Sequence, residues 1–367
     1  MKHVLKSIAL AAICAAAGGA QAQAIISNGT VQMGVRALGD LNVDGGSPAA
    51  GSGTTIVGLR SVRTNSDSTS PGCTCEGWGV AIQSLGQSGY ANSAVGTANL
   101  SQVSFTSTAT TAVSVVNVLN AAGAPILQVT HDYHPLATTP YLYETVVTIK
   151  NMTGTALAAG DLLYRRVMDW DIPSPGGESV TIQGVPALRG VANGNNVHRT
   201  DNNGFNSGDP FSFTSYGCEN VNVTNLRGGD ACAGSTSGGT SLSSDEGALF
   251  DFEFEALADG ASRVFSTYYG VAPDKATADL ARSMVDGDSS TVDIGLYSYG
   301  SCVAGSFPGV TCDASTGVPD TFIFGFGSVN GVLIPPGGGV PEPASLALVG
   351  LALAGAAGAR RRSPKQG

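Results

Sequence analysis

The side chains best suited to chemistry lie in two short segments, His131-Asp-Tyr-His134 and Asp169-Trp-Asp171. Each segment ends a stretch whose residue pattern predicts a β-strand. If those strands are neighbours, two imidazoles and two carboxylates meet at one rim, where they could bind a divalent metal or a sugar. His131 and His134 point to opposite faces of an extended strand, so both could bind one ion only across a turn. We predict His131, Asp169 and Asp171 as ligand-binding residues.

The same residues have a structural interpretation, which the sequence favours. Arg165 or Arg166 would then pair with an aspartate, and Trp170 would lie in the core. Glu76 and Trp78 pose a similar choice, because a carboxylate beside an aromatic ring could bind a sugar. A tryptophan packed against a disulfide is the simpler interpretation of that segment.

A second candidate site is Asp40-Leu-Asn42-Val-Asp44-Gly45, which matches the start of a calcium-binding loop. Alternating oxygen ligands followed by glycine let a chain wrap around a hard cation. The twelfth position is Gly51 instead of glutamate, and no helix is predicted on either side. Asp40, Asn42 and Asp44 are predicted metal ligands for Ca²⁺, with a simple turn as the alternative. No other cofactor is expected.

Catalytic motifs are missing from the sequence. It contains no G-x-S-x-G, no H-E-x-x-H and no P-loop. We therefore predict a protein that is not an enzyme. The alternatives are an exported carbohydrate-active enzyme that uses Asp169, Asp171, Glu76 or His131, and a calcium-dependent carbohydrate-binding module.

The elements that would position these residues are mostly strands. Tyr141–Lys150 alternates clearly, and a turn at 151–154 joins it to a second strand over 161–170, which predicts a hairpin or an adjacent pair. Apolar alternation predicts further strands around 31–35, 103–105, 113–115, 250–255, 263–271, 292–299 and 321–327. Residues 193–210 and 228–247 read as long loops.

One helix is predicted, over 274–285. Asp274 is a suitable N-cap, Gly287 follows the end, and Ala278, Leu280, Ala281 and Met284 form an apolar stripe. Many short strands with Gly/Asn turns predict an all-β fold, an antiparallel β-sandwich or two fused sandwiches. This exported body would span residues 25–334.

The N-terminal segment, residues 1–24, has the pattern of a secretory signal peptide. Lys2 and Lys6 are followed by the apolar run Ile8–Ala17, and cleavage sites of the small-x-small type end at Ala22 and Ala24. The predicted partner of this segment is signal peptidase.

The C-terminal segment has three parts. A Pro/Gly linker at 335–339 precedes Pro341-Glu342-Pro343, then the apolar run 344–359, then Arg360, Arg361 and Arg362. As a helix, that run would reach about 24 Å at 1.5 Å per residue, short of the ~30 Å hydrocarbon core. Arginines beyond it would keep the C-terminus cytoplasmic.

This order of parts over 340–362 resembles the PEP-CTERM sorting signal, in which a Pro-Glu-Pro triplet precedes a hydrophobic sorting helix and an arginine cluster. The resemblance implies handling by an exosortase in a Gram-negative cell. It implies transient anchoring in the inner membrane, cleavage near Pro341-Glu342-Pro343, and release or attachment at the surface. It also implies a bacterium that makes exopolysaccharide, and a protein associated with that exopolysaccharide or with a biofilm. A plain single-span anchor is the alternative.

Charge excludes one class of partner. The chain has 18 basic and 28 acidic residues, a net charge of −10. Removing residues 1–24 and the segment from 340 takes away six basic side chains and one acidic, which leaves 12 against 27 and a net charge of −15. Such a surface repels nucleic acid and is compatible with cations or neutral sugars.

Six cysteines remain after the predicted signal peptide is removed, an even number that predicts disulfides in an exported protein. Proximity in sequence favours Cys218 with Cys232 and Cys302 with Cys312. Cys73 and Cys75 would then pair with each other or with partners further away, and a C-x-C metal site is the alternative.

Overall fold

The computed structural model describes residues 23–173, 178–184, 196–216, 220–221, 246–287, 289, 293–303, 306–307, 310–327 and 332–334. The predicted signal peptide up to residue 22, the linker and the predicted sorting helix lie outside these residues. So do Cys218 and Cys232. No helix in the described part of the chain is long and apolar enough to cross a bilayer.

The described residues form 21 β-strands, one α-helix and a short 3-10 turn at Gln83–Leu85. The strands up to residue 151 are β1 (Gln23–Ser27), β2 (Val31–Arg36), β3 (Leu59–Ser61), β4 (Gly77–Ile82), β5 (Gln87–Asn92), β6 (Gly96–Ala98), β7 (Leu100–Ser107), β8 (Ala112–Leu119), β9 (Pro125–Pro135) and β10 (Leu142–Asn151). The remaining elements are β11 (Leu162–Asp169), β12 (Glu178–Gly184), β13 (Val197–Asp201), β14 (Asn220–Val221), β15 (Gly247–Glu253), β16 (Ser262–Ala272), α1 (Lys275–Arg282), β17 (Leu296–Cys302), β18 (Ser306–Phe307), β19 (Val310–Thr311), β20 (Thr321–Phe326) and β21 (Val332–Ile334).

Two large antiparallel sheets make the body. One has nine strands in the order β12-β17-β20-β16-β10-β9-β8-β7, with β21 also paired to β16. The other has seven, in the order β14-β13-β15-β11-β4-β5-β6. A third sheet, β1-β2-β3, and the pair β18-β19 complete the set in the described residues. Buried apolar side chains of the three larger sheets form one continuous cluster. The predicted all-β antiparallel fold is confirmed.

The sequence pattern explains which face of each strand is buried. In β10 one of the two alternating faces, with Tyr143, Thr145, Val147 and Ile149, has no exposed surface. In β11 all eight residues are buried. Arg166 on one face bonds to Tyr269 of the opposite sheet, and Arg165 on the other face donates to the carbonyls of the loop at 207–209. A strand buried on both faces loses the alternation that identifies it in a sequence.

The predicted pairing of the strands around 141–150 and 161–170 is wrong. β10 pairs with β9 and β16 in the nine-stranded sheet, whereas β11 pairs with β4 and β15 in the seven-stranded sheet. The connection between β10 and β11 therefore crosses from one sheet to the other. The prediction of a long loop over 193–210 is also partly wrong, because β13 (Val197–Asp201) lies within this range and pairs with β15.

The helix is shorter than predicted. It covers Lys275–Arg282, and the Asp274 side chain accepts a hydrogen bond from the Thr277 N–H, as expected for an N-cap. Ala278 and Ala281 are buried as predicted, but Leu280 is 55% exposed. Arg282 takes the inner position instead, where its guanidinium lies 3.7 Å from the centre of the Tyr297 ring.

The third sheet supplies a covering loop, residues 37–41, that closes over the core. The turn needs glycine, because Gly39 has φ +84° and a Cβ there would lie 2.6 Å from His131 Nδ1. Trp78 Nε1 donates to the Leu38 carbonyl at 2.8 Å, and Leu41 is fully buried. The covering loop is therefore held against the centre of the sandwich.

A second close approach lies on β4. A Cβ added at Gly79 would lie 2.0 Å from the carbonyl oxygen of Gly208, a backbone atom. The loop around Gly208 packs directly on the strand for this reason, and the chain there has no room for a methyl group.

Gly79→Ala is therefore expected to destabilise the protein by about 1–3 kcal/mol, because backbone must move to admit the methyl group. Urea unfolding measures the change. Ser101→Thr, which adds a methyl group on exposed β7, is the matched control and is expected to change stability by less than about 0.5 kcal/mol. Equal midpoints for the two variants would contradict the packing described here.

Candidate functional site

The centre of the sandwich holds a buried ion pair. Arg166 comes from the middle of β11 and Glu76 from the residue before β4, and neither has exposed surface. Arg166 Nη2 lies 2.7 Å from Glu76 Oε1, and Arg166 Nε donates to the same oxygen at 2.8 Å. The other oxygen, Glu76 Oε2, accepts the Leu41 N–H of the covering loop at 2.6 Å.

Two tyrosines of the opposite sheet complete this buried cluster. Tyr269 on β16 donates its hydroxyl to Glu76 Oε1 at 2.7 Å, and Arg166 Nε also donates to the Tyr269 hydroxyl. Arg166 Nη2 donates to the Tyr133 hydroxyl on β9 at 3.0 Å, and Tyr133 donates in turn to the Gly39 carbonyl at 2.7 Å. The cluster, Glu76, Arg166, Tyr133 and Tyr269, thus links both sheets and the covering loop.

Burial sets the protonation of this cluster and its surroundings. Loss of water raises the pKa of the Tyr133 and Tyr269 hydroxyls, so both stay protonated and donate. Burial opposes the charge of Arg166, but the Glu76 carboxylate and the nearby tyrosines outweigh it and raise the Arg166 pKa. The pKa of His131 is lowered well below 6.5, by burial and then by Arg166. The histidine is therefore neutral.

His131 lies beside this cluster and not at a rim. Its ring centre is 4.6 Å from that of Trp78, and Nε2 lies 3.3 Å from the Tyr164 hydroxyl. Both His131 and Trp78 are fully buried. Trp78 therefore has no free face on which a sugar could stack, and the structural interpretation of these two residues fits their positions.

The structure does bring Asp169 and Asp171 together, at the end of β11. Their ligand atoms and Cys73 Sγ all lie within 4.8 Å of one another, in a group that does not contain His131. Cys73 is bonded to Cys75, so its sulfur is no thiolate and the two carboxylates are the ligands on offer. Metal binding by Asp169 and Asp171 stays a prediction.

The predicted calcium residues have protein partners. Asp40 is buried and accepts from Arg36 Nη1 at 2.8 Å, and burial first of all raises its pKa to about 6. Asn42 Nδ2 donates to the Thr74 carbonyl at 3.0 Å, whereas Asp44 is exposed and accepts from Thr55. The calcium site stays a prediction, and these contacts are those of a tightly bonded turn.

Four of the six predicted disulfide cysteines form two disulfide bonds in the described residues. The structure joins Cys73 to Cys75 and Cys302 to Cys312, whose Cα atoms are 5.1 Å and 5.8 Å apart. Cys302 ends β17 and is 1% exposed. The pairing of Cys218 with Cys232 falls outside the described residues and stays a prediction.

A separate polar group lies on the outer face of β9 and its neighbours. His134 Nε2 is 3.2 Å from Glu144 Oε2, and His134 Nδ1 is 3.8 Å from Asp132 Oδ1. Ser266 donates to the other oxygen of Glu144. The neighbouring carboxyl groups of Asp132 and then Glu144 raise the pKa of His134 to about 9. This group is charged at neutral pH, in contrast to His131.

The buried ion pair was not predicted from the sequence, although its signal was present. Arg165 and Arg166 are consecutive in a strand that is otherwise apolar. Buried arginines need acidic partners, and the two partners come from distant parts of the chain: Asp251 for Arg165, with Nε to Oδ1 at 2.6 Å, and Glu76 for Arg166.

Comparison with known protein families gives a match at the C-terminal end of the chain. The model of the PEP-CTERM protein-sorting motif matches residues 339–362. The chain carries a PEP-CTERM sorting motif. The resemblance seen in the sequence is confirmed, and the motif implies an exported protein with a surface or extracellular location.

The body of the chain has a weak structural similarity to solved proteins. The structure of a galactose mutarotase related enzyme from Lactobacillus acidophilus resembles it with 10% identity and a TM-score of 0.31. That likeness covers 83% of this chain and 85% of the other. No curated protein sequence matches the chain.

The buried ion pair predicts a large effect of removing one partner. Arg166→Met is expected to destabilise the protein by about 3–5 kcal/mol, because it leaves the Glu76 charge buried without a cation. Glu76→Gln/Arg166→Met is expected to be more stable than Arg166→Met, since the amide keeps an acceptor without the charge. Urea unfolding measures both, with exposed Lys150→Met on β10 as the control. A cost below about 1 kcal/mol for Arg166→Met would refute the role given to the pair.

His134 predicts a pH dependence. Its folded-state pKa of about 9 exceeds the usual 6.5, so its stabilising charge is fully present below pH 6.5 and is lost as the pH rises to about 9. NMR titration of the His134 ring is expected to show a midpoint near 9, and Glu144→Gln is expected to lower it. Gln128→Ala, on the same face of β9, should leave the midpoint unchanged. A midpoint at or below 6.5 would disprove the charged pair.

Proposed function

We propose that this protein is an exported, non-enzymatic surface or matrix protein that exosortase processing separates from its tail, and that it associates with exopolysaccharide. The observation that carries the proposal is the order of the last described strand and the sorting motif. β21 ends at Ile334 and pairs with Ser262–Val264 of β16, and the sorting motif begins at residue 339. The last described strand of the body thus precedes the motif in the chain.

The position of β1 distinguishes the two predicted signal peptidase cleavage sites. β1 begins at Gln23, which pairs with Arg36, and Ala24 pairs with Val35. Cleavage after Ala24 would remove two paired residues, whereas cleavage after Ala22 leaves β1 complete. We therefore assign signal peptidase cleavage to the bond after Ala22.

The non-enzymatic part of the proposal draws support from the central residues. Glu76, His131 and Arg166 are an acid, a base and a cation that an active site could use, and all three are fully buried. Burial, with Arg166 second, lowers the pKa of His131 well below its usual value, and the Glu76 carboxylate outweighs burial to raise that of Arg166. A carbohydrate-active enzyme would have to use Asp169 and Asp171 instead, and a calcium-dependent module would have to use Asp40, Asn42 and Asp44.

The parts of the C-terminal segment suggest the order of the sorting steps. The apolar run 344–359 anchors the exported chain in the inner membrane for a time, with Arg360–Arg362 on the cytoplasmic side. Cleavage near Pro341-Glu342-Pro343 then frees the body to the surface or the exterior. An acidic body of net charge −15 would associate with neutral polysaccharide more readily than with a polyanion.

Intact-mass spectrometry of the protein isolated from the cell surface or medium tests this processing. The expected mass lacks residues 1–22 and the tail beyond Pro341-Glu342-Pro343. Pro341→Ala/Pro343→Ala is expected to leave the tail attached, and Pro335→Ala/Pro336→Ala in the linker is the matched control. Persistence of residues 344–362 in the surface protein would reject exosortase cleavage.

A further inference from the structure

A cavity of about 270 Å³ lies where the third sheet meets the end of β16. The turn at Gly29 and Thr30 and the residues after β3 form one side of it. Ala272 and Pro273 contribute an apolar floor, and Tyr141 lines it as well. None of the residues discussed above as catalytic or metal-binding candidates lies in this cavity.

Arg63 supplies its hydrogen-bond donors. The side chain is 47% exposed and lines the cavity. Its Nη2 donates to Asp320 Oδ1 at 2.8 Å and to the Pro319 carbonyl. Within the described residues Nε and Nη1 have no protein partner, so these donors remain for a ligand.

Asp320 at the base of the cavity has little capacity left for a ligand. It is 4% exposed. Oδ1 accepts from Ser61 at 3.1 Å as well as from Arg63, and Oδ2 accepts from Ser66 at 2.9 Å and from Thr64. These four donors occupy the lone pairs that a cation would need. The carboxylate also neutralises Arg63, so the pair as a whole attracts no strong anion.

Tyr141 adds an aromatic wall. Its hydroxyl has no hydrogen bond and its ring contacts no other ring among the described residues. The cavity thus combines an apolar floor, one tyrosine and one arginine with free N–H groups. An amphipathic ring with a C–H face and hydroxyl oxygens matches this lining. The volume is below the roughly 300–1,000 Å³ of drug-sized pockets, which limits the ligand to about one ring.

We infer that this cavity binds a single neutral hexopyranose unit, at the end or a branch of a polysaccharide. The inference rests on the proposed function for the source of the polysaccharide, and it names the class of sugar. Neutral sugars are favoured over uronates because Asp320 already balances Arg63 and the body carries a net charge of −15.

The test is NMR titration of the full exported protein with the methyl glycosides of glucose, galactose and mannose. At least one is expected to bind with a dissociation constant on the order of 1 mM, as suits one ring with few polar contacts. Arg63→Gln is expected to weaken binding about tenfold or more. Val62→Trp, at a position 44% exposed on the cavity wall, is expected to block it while leaving the Arg63–Asp320 pair intact.

The matched controls are Arg36→Gln and Tyr216→Leu. Arg36 is 37% exposed and also pairs with a buried aspartate, Asp40, and Tyr216 is exposed on another loop. Both variants should bind as the unchanged protein does. No binding of any of the three glycosides, tighter binding of glucuronate, or binding of indole alone would overturn the inference. A correctly processed protein that binds no glycoside would leave the sorting proposal standing.

Discussion

The ion pair between Glu76 and Arg166 is the contact on which the rest of the sandwich depends. Two charges without exposed surface are tolerated only where other groups replace the lost water. Tyr133 and Tyr269 from the nine-stranded sheet and the Leu41 N–H of the covering loop make that replacement. Both sheets and the covering loop must therefore take one relative position. A purely apolar interface would tolerate small shifts, whereas these directional bonds specify a single arrangement.

The same interaction decides where chemistry can occur. At the centre Glu76 and Arg166 pair with each other, and neither has exposed surface beneath the covering loop. His131 is neutral in this environment, while His134, three residues along β9 on the outer face, is charged. More exposed polar groups lie away from the centre: Asp171, half-buried just after β11, and Arg63, 47% exposed where the third sheet meets β16.

The sequence was sufficient for local structure and insufficient for pairing over long distances. Alternation placed Tyr143, Thr145, Val147 and Ile149 on one face of β10, which the structure buries, and Asp274 marked the start of α1 correctly. The partner of β10 could not be found this way, because a turn after a strand is equally compatible with a hairpin and with a crossing to the other sheet. Glu76 and Arg166 are ninety residues apart, so their pairing follows from topology alone. The short PEP-CTERM motif was predictable because its order of parts is local.

The positions of the chain ends connect the fold to the sorting motif. β21 pairs with β16, which also pairs with β10 and β20 in the centre of the nine-stranded sheet. The last strand therefore belongs to the body, and the linker between Ile334 and the motif is short. The nine residues 335–343 separate Ile334 from the apolar run, and fully extended they span at most about 32 Å. On the proposed function, a chain held by its tail keeps the folded body within that distance of the inner membrane. Cleavage then removes the restraint without removing a strand, so the protein that reaches the surface is the one already folded at the membrane.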